Sequence, residues 1–171
     1  MKKIITLVLS LLLFGSLTGC AAPAVPETMP EDFSFALAWD FNGNSSYDSA
    51  TGTLVKTTDA PHPEDYITTL TLAPEQKEMI YTILQALDIN TYPDVYNPHE
   101  DGTSTKPPMT LILTVRAGGS EKTIEAKGIA YTYEANNPRG QAFLTACESI
   151  IHILTASEEW KALPDYENFY A

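Results

Sequence analysis

The chain predicts an α+β fold, an antiparallel β-sheet of about five to six strands with two amphipathic helices packed on one face. Three observations carry this. Phe33, Phe35, Leu37, Trp39 and Phe41 alternate with Ser34, Ala36, Ala38 and Asp40, the period of two that puts one large apolar face on a core. Apolar residues recur at helical spacing over Glu75–Asp88 and again from Gln141. Two β-branched runs, Met109–Arg116 and Glu121–Ala126, flank the turn Ala117-Gly118-Gly119-Ser120.

Taken in order, the alternating run is the first strand. Asn42-Gly43 directly follows it and predicts a hairpin, because both residues tolerate positive φ. The returning strand is expected at Asn44–Ser49 or at Thr53–Lys56. Tyr66–Leu72, rich in β-branched residues, reads as the next strand. Pro74 suits the first turn of a helix and Glu75 the positive end of its dipole. Met79, Ile80, Ile83, Leu84 and Leu87 then give the apolar stripe. Ile89–Pro108 reads as a long irregular stretch. After the glycine hairpin, Ile129, Tyr131 and Tyr133 alternate and extend its second strand. Phe143, Leu144, Cys147, Ile150, Ile151 and Leu154 form the second helical stripe. Trp160-Lys-Ala-Leu-Pro164 reads as a short helical turn whose Trp160 and Leu163 pack on the domain edge.

The N-terminus has a different character. Lys2 and Lys3 precede an apolar stretch from Ile4 to Phe14, and small residues lead to Leu17-Thr18-Gly19-Cys20. A basic head, a short apolar core and small residues are the layout of a secretory signal, and the apolar run is too short to span a bilayer comfortably. Leu17-Thr18-Gly19-Cys20 resembles a lipobox, the site at which bacterial lipoprotein precursors receive diacylglycerol on the cysteine and are cut before it. The resemblance covers the first 20 residues. It implies a chain lipid-anchored to the outer face of the cell membrane through Cys20. Two acyl chains at about 0.8 kcal/mol per methylene give a gross membrane affinity on the order of 20 kcal/mol.

The expected organisation is a signal peptide over 1–19, a lipidated cysteine and proline-rich tether over 20–32, one α+β domain over 33–164 and a tail over 165–171. In a mostly polyproline-like form, the tether would reach roughly 37 Å. Removing residues 1–19 takes away Lys2 and Lys3 and no acid, so the formal charge of −12 becomes −14. Such a surface is repelled by nucleic acid and by anionic headgroups, so nucleic acid is not expected as a partner. Cys20 and Cys147 are the two cysteines. With the first consumed by lipid, the exported domain is expected to have no disulfide.

No catalytic signature of fixed spacing occurs: no His-Glu-x-x-His, Gly-x-Ser-x-Gly, phosphate-binding glycine loop or Ser-x-x-Lys. Cys147 sits in a helical apolar stripe, and His152, five residues on, is about 140° around the helix, so the two form no local dyad. Asn97, His99, Asp101 and Gly102 resemble half of a calcium loop, but Pro108 stands where the bidentate Glu is needed. Asp40, Asn42, Asn44, Ser46 and Asp48 also alternate oxygen ligands, which a hairpin turn explains. No metal or cofactor is expected. The segment with Tyr92, Asp94, Tyr96, Asn97, His99, Glu100 and Asp101 joins amphipathic rings to irregular backbone, a composition common at binding surfaces. The alternative for Tyr92 and Tyr96 is a cap on the end of the core.

Beyond the lipobox, the strand-rich start, the turn region around Tyr47-Asp48, the Glu75 helix and the ending Trp160-Lys-Ala-Leu-Pro164 resemble uncharacterised small lipoproteins of low-GC Gram-positive bacteria. That resemblance supplies no activity and no site. The expectation is a non-enzymatic module that binds an envelope protein, peptide or wall component. The alternatives are a small envelope hydrolase with paired carboxylates and a calcium-responsive surface module.

Overall fold

The computed structural model describes residues 26–56, 62–99, 109–130 and 132–165. The alternating run forms β1 (Ser34–Trp39), with Phe33, Phe35, Leu37 and Trp39 all at most 2% exposed. Each such side chain contributes about 1.5–3 kcal/mol by leaving water. The strand stops at Trp39 because Asp40 takes φ 68°, and Phe41 makes a separate bridge to Met109. Asn42 and Gly43, at φ 56° and 70°, then turn the chain into β2 (Ser45–Asp48). Both expected return segments are strands, the second being β3 (Thr53–Val55).

A 3₁₀ turn at Pro63–Tyr66 leads into β4 (Ile67–Thr69), shorter than the expected strand and lying at the sheet edge. Helix α1 (Pro74–Leu87) and helix α2 (Pro138–Thr155) bury Ile80, Tyr81, Leu84, Phe143, Leu144, Cys147 and Ile150 in the same core as β1. Met79, expected in the α1 stripe, is 56% exposed. Ile80, Leu84 and Leu87, at i, i+4 and i+7, hold the centre of the buried face, and Met79 sits one step around the helix from it. Helix α2 begins three residues before Gln141, because Asn137 caps it by accepting from the Gly140 amide at 2.7 Å and Pro138 fills its first position.

The strands pair in the order β4-β3-β2-β1-β6-β7-β5, with β5 at Val95–Tyr96, β6 at Met109–Ala117 and β7 at Ser120–Ile129. Gly118 and Gly119, at φ 59° and 74°, make the two-residue turn between them. Strand β7 ends at Ile129; Tyr133 is at φ 50° and does not extend it, and Tyr131 lies outside the described residues. Among the described residues the sheet has seven strands and is mixed, because β5 runs parallel to β7. A strand of two residues leaves no alternation to read in a sequence. Helix α3 (Glu158–Ala162) brings Trp160 to within 5.5 Å of Trp39, ring to ring, and Leu163 is 9% exposed, so the C-terminal turn packs on the core edge as expected. Asp165 is held through its backbone carbonyl by the Tyr66 hydroxyl at 3.1 Å. Among the described residues no helix is long and apolar enough to cross a membrane.

The second half of the expected tether is attached to the domain. The carbonyl of Pro26 accepts from the Tyr81 hydroxyl and, at 2.8 Å, from Gln85 Nε2, both on α1. The Asp32 carboxylate accepts from the amides of Gly119 at 2.7 Å and Gly118 at 2.9 Å. These amides sit in a turn that gives them no ladder partner, and an acceptor from a distant segment satisfies them. They hold the Asp32 carboxyl below its ordinary value of 3.8, Gly119 contributing most. A depressed carboxyl stabilises the folded state above its unfolded value and loses that contribution as pH falls through the folded one. The Asp32 contact is therefore expected to be complete at neutral pH and to release only below pH 3.8. The Gly118 and Gly119 amide resonances followed through an acid titration check this, and a midpoint at or above the ordinary value would count against it.

Candidate functional site

The sheet has two ends of different make-up. At one, the Gly118-Gly119 turn meets Pro26 and Asp32. At the other, Asp40 accepts the Thr110 amide at 3.0 Å, Phe41 bridges Met109, and Met109 pairs with Ile129. His99 Nε2 accepts the Ala130 amide at 3.1 Å, and Asn137 Nδ2 donates to the Pro98 carbonyl at 2.8 Å, so the end of the 89–99 segment arrives there too. The eight steps of β6 separate the two ends by about 27 Å.

The sequence-predicted residues divide at this point. Tyr92 and Tyr96 are 4% and 8% exposed, and their rings pack edge to face at 5.1 Å, each 5.5 Å from Phe143. The Tyr92 hydroxyl donates to the Arg139 carbonyl at 3.1 Å, and the Arg139 guanidinium lies 4.6 Å above its ring while bonding the Thr91 carbonyl. Burial raises the Tyr92 phenol above its ordinary value, and Arg139 partly offsets that. The two rings cap the core and present no aromatic face to a partner. Their backbone explains why: a 3₁₀ turn at Ile89–Thr91 and then β5 turn one ring after another into the same cluster.

Asp94 is exposed and paired with Lys122, an interaction of at most about 1 kcal/mol. Asn97 Oδ1 accepts the His99 amide at 3.1 Å and closes a local turn. His99 is 3% exposed and turned inward; an accepting Nε2 is the unprotonated ring nitrogen. Glu100, Asp101 and Cys20 lie outside the described residues.

The acidic positions near these turns do not converge. Asp40 Oδ2 accepts from the buried Ser45 hydroxyl at 2.6 Å, whereas Asp48, at the far end of β2, accepts the Ala50 amide at 2.8 Å. Among the described residues no group of three or more His, Cys, Asp or Glu is placed to hold a metal ion. Cys147 is wholly buried, and burial pushes its thiol up to about 12. His152 is exposed while the thiol is buried, and the raised thiol lacks the thiolate character nucleophilic chemistry needs at neutral pH.

Non-glycine residues at positive φ gather at the Met109 end. Of the four such residues among the described residues, Asp40, Asn42 and Tyr133 lie there, and the fourth, Asp88, is the C-cap of α1. Positive φ costs a residue with a Cβ on the order of 1 kcal/mol or more. Asp40 and Asn42 are types that tolerate it, so the sequence carried a signal for those two; Tyr133 carried none. The strained positions surround the turn Asp40–Asn44, whose Asn42 is exposed, and the stretch Tyr133–Asn136, whose Glu134 is exposed. No family model matches the chain, and neither a curated protein nor a solved structure matches it.

Proposed function

We propose that the chain is an extracytoplasmic protein, lipid-anchored to the cell membrane at Cys20, whose domain binds an envelope protein, peptide or wall component without catalysing a reaction. The anchor reading is supported by Leu17-Thr18-Gly19-Cys20 standing directly behind a basic head and a short apolar core. The observation that carries the binding reading is the gathering of non-glycine positive-φ residues at the Met109 end, Tyr133 above all. Tyr133, a type that does not ordinarily adopt positive φ, holds a costly conformation beside the exposed Glu134, and Asp40 and Asn42 shape the neighbouring turn, whose Asn42 is exposed. Among the described residues Cys147 is wholly buried, and Asp40 and Asp48 stand at opposite ends of β2.

Photo-crosslinking groups placed at Glu134 and, as the comparison, at Ser120 test this on intact cells. Both positions are exposed and lie at opposite ends of the sheet. A discrete adduct from position 134 and none from position 120 is expected. Equal labelling from both, or none from 134, would argue against a binding surface at this end. In the same cells Cys20→Ala is expected to abolish the diacylglyceryl adduct on the N-terminal peptide, read by mass spectrometry.

A further inference from the structure

We infer that Pro26–Asp32 is an orienting clamp, which keeps the Gly118 end of the sheet at the membrane and turns the Met109 end outward. This rests on the proposed lipid at Cys20. Three attachments carry it. Tyr81 and Gln85, at i and i+4 on one face of α1, both donate to the Pro26 carbonyl, and Tyr81 also reaches the Thr28 carbonyl at 3.3 Å. The Tyr81 ring is fixed edge-on against Phe33 at 4.8 Å, so its hydroxyl is aimed by the core. Asp32 grips the amides of Gly118 and Gly119 at the other end of the segment. Pro26 itself lies beside Gly118, where an added Cβ would stand 3.5 Å from its ring. The segment is thus fastened at both ends and to two different elements.

Length decides what this does. A free tether from Cys20 to Phe33 would span up to about 45 Å, longer than the roughly 27 Å of β6, and the domain could present any side to the bilayer. With the chain held from Pro26 onward, the leash from Cys20 is at most about 21 Å, shorter than the sheet. The Met109 end then cannot stand against the headgroups with the Gly118 end pointing straight away from them. The net negative charge of the protein gives no attraction that would replace the clamp, because like-charged surfaces repel over a Debye length of about 8 Å. The clamp therefore favours an outward aspect for the turns at Asp40–Asn44 and Tyr133–Asn136, toward a partner approaching from outside.

The test uses the full chain, expressed with its leader, purified with its lipid and placed in vesicles carrying an acceptor fluorophore on the headgroups. Donor dyes are attached through Ser120→Cys or Glu134→Cys; Cys147 is buried and does not compete. Energy transfer from position 120 is expected to exceed that from position 134 at least about two-fold, as ends separated by the length of a strand require. Releasing the clamp with Asp32→Ala, Gln85→Ala and Tyr81→Phe together is expected to erase the difference while the protein stays on the vesicles. A flexible insertion of about twelve residues between Val25 and Pro26, which leaves the domain untouched, is expected to do the same. Equal transfer from both positions in the unaltered clamp, or a difference that survives both changes, overturns the orientation. The two readings fail differently. A lipid adduct on Cys20 with equal transfer sinks the clamp alone, whereas a chain with no adduct sinks the anchor and the orientation with it.

Discussion

Phe143→Ala is expected to destabilise the domain by about 4 kcal/mol, within the range for removing a wholly buried aromatic ring. Phe143 is 0% exposed and stands 5.5 Å from both Tyr92 and Tyr96, so it is the floor on which the 89–99 segment rests. The cavity left behind cannot close easily. Tyr92 is tied by its hydroxyl to the Arg139 carbonyl, and Tyr96 lies on β5, paired to Ala126 of β7. For a domain of this size the loss corresponds to a fall in Tm of about 15 °C. The change should be largest locally, with protease cleavage between Tyr92 and His99 appearing before global unfolding. A Tm within a few degrees of the parent protein would show that Tyr92 and Tyr96 pack without Phe143.

Gly140→Ala should be nearly as damaging, by about 3 kcal/mol, although the residue lies in the first turn of a helix, where alanine is ordinarily the better choice. A Cβ at this position would fall 2.1 Å from the Pro98 carbonyl oxygen and 3.0 Å from the Asn137 amide nitrogen and from the Ala135 Cβ. The Pro98 oxygen is backbone and is already held by Asn137 Nδ2 at 2.8 Å, while Asn137 Oδ1 holds the Gly140 amide. Making room for one methyl group therefore displaces the helix cap and the end of the 89–99 segment together. The gain of up to about 1 kcal/mol from a less flexible unfolded chain does not offset that. Asn137→Ala, which removes the cap and leaves the space, should cost only about 1–2 kcal/mol. Chemical denaturation of the two variants gives the comparison, and an alanine at 140 that proves neutral would remove the close approach from the account.

Both residues show where local reading stops. The helix start at Pro138 was legible, since Asn137-Pro138 is a cap followed by a proline suited to the first turn; a helix begun at Gln141 misses that signal. The need for glycine at 140 was not legible, because the carbonyl it admits comes from Pro98, far away along the chain. Tyr92 and Tyr96 give the same lesson for the candidate site. A 3₁₀ turn and a two-residue strand carry no period, so rings turned into the core look the same in sequence as rings turned toward a partner.

What the sequence determined by itself is whatever repeats along one element. The alternation from Phe33 to Trp39 fixed a strand and its buried face, the stripe from Phe143 to Leu154 fixed a helix, and Gly118-Gly119 fixed a tight hairpin. Each pattern records the direction of the core as seen from a single segment, and that direction is set by backbone geometry of constant period. Tertiary structure alone decided which distant groups met: β5 alongside β7, Pro98 against Gly140, and Pro26–Asp32 fastened to Tyr81, Gln85 and the Gly118 turn. Those contacts satisfy backbone donors and acceptors with partners from other parts of the chain. A hydrogen-bonding group carries no mark in the sequence of where its partner lies, so its partner appears only when the chain is folded.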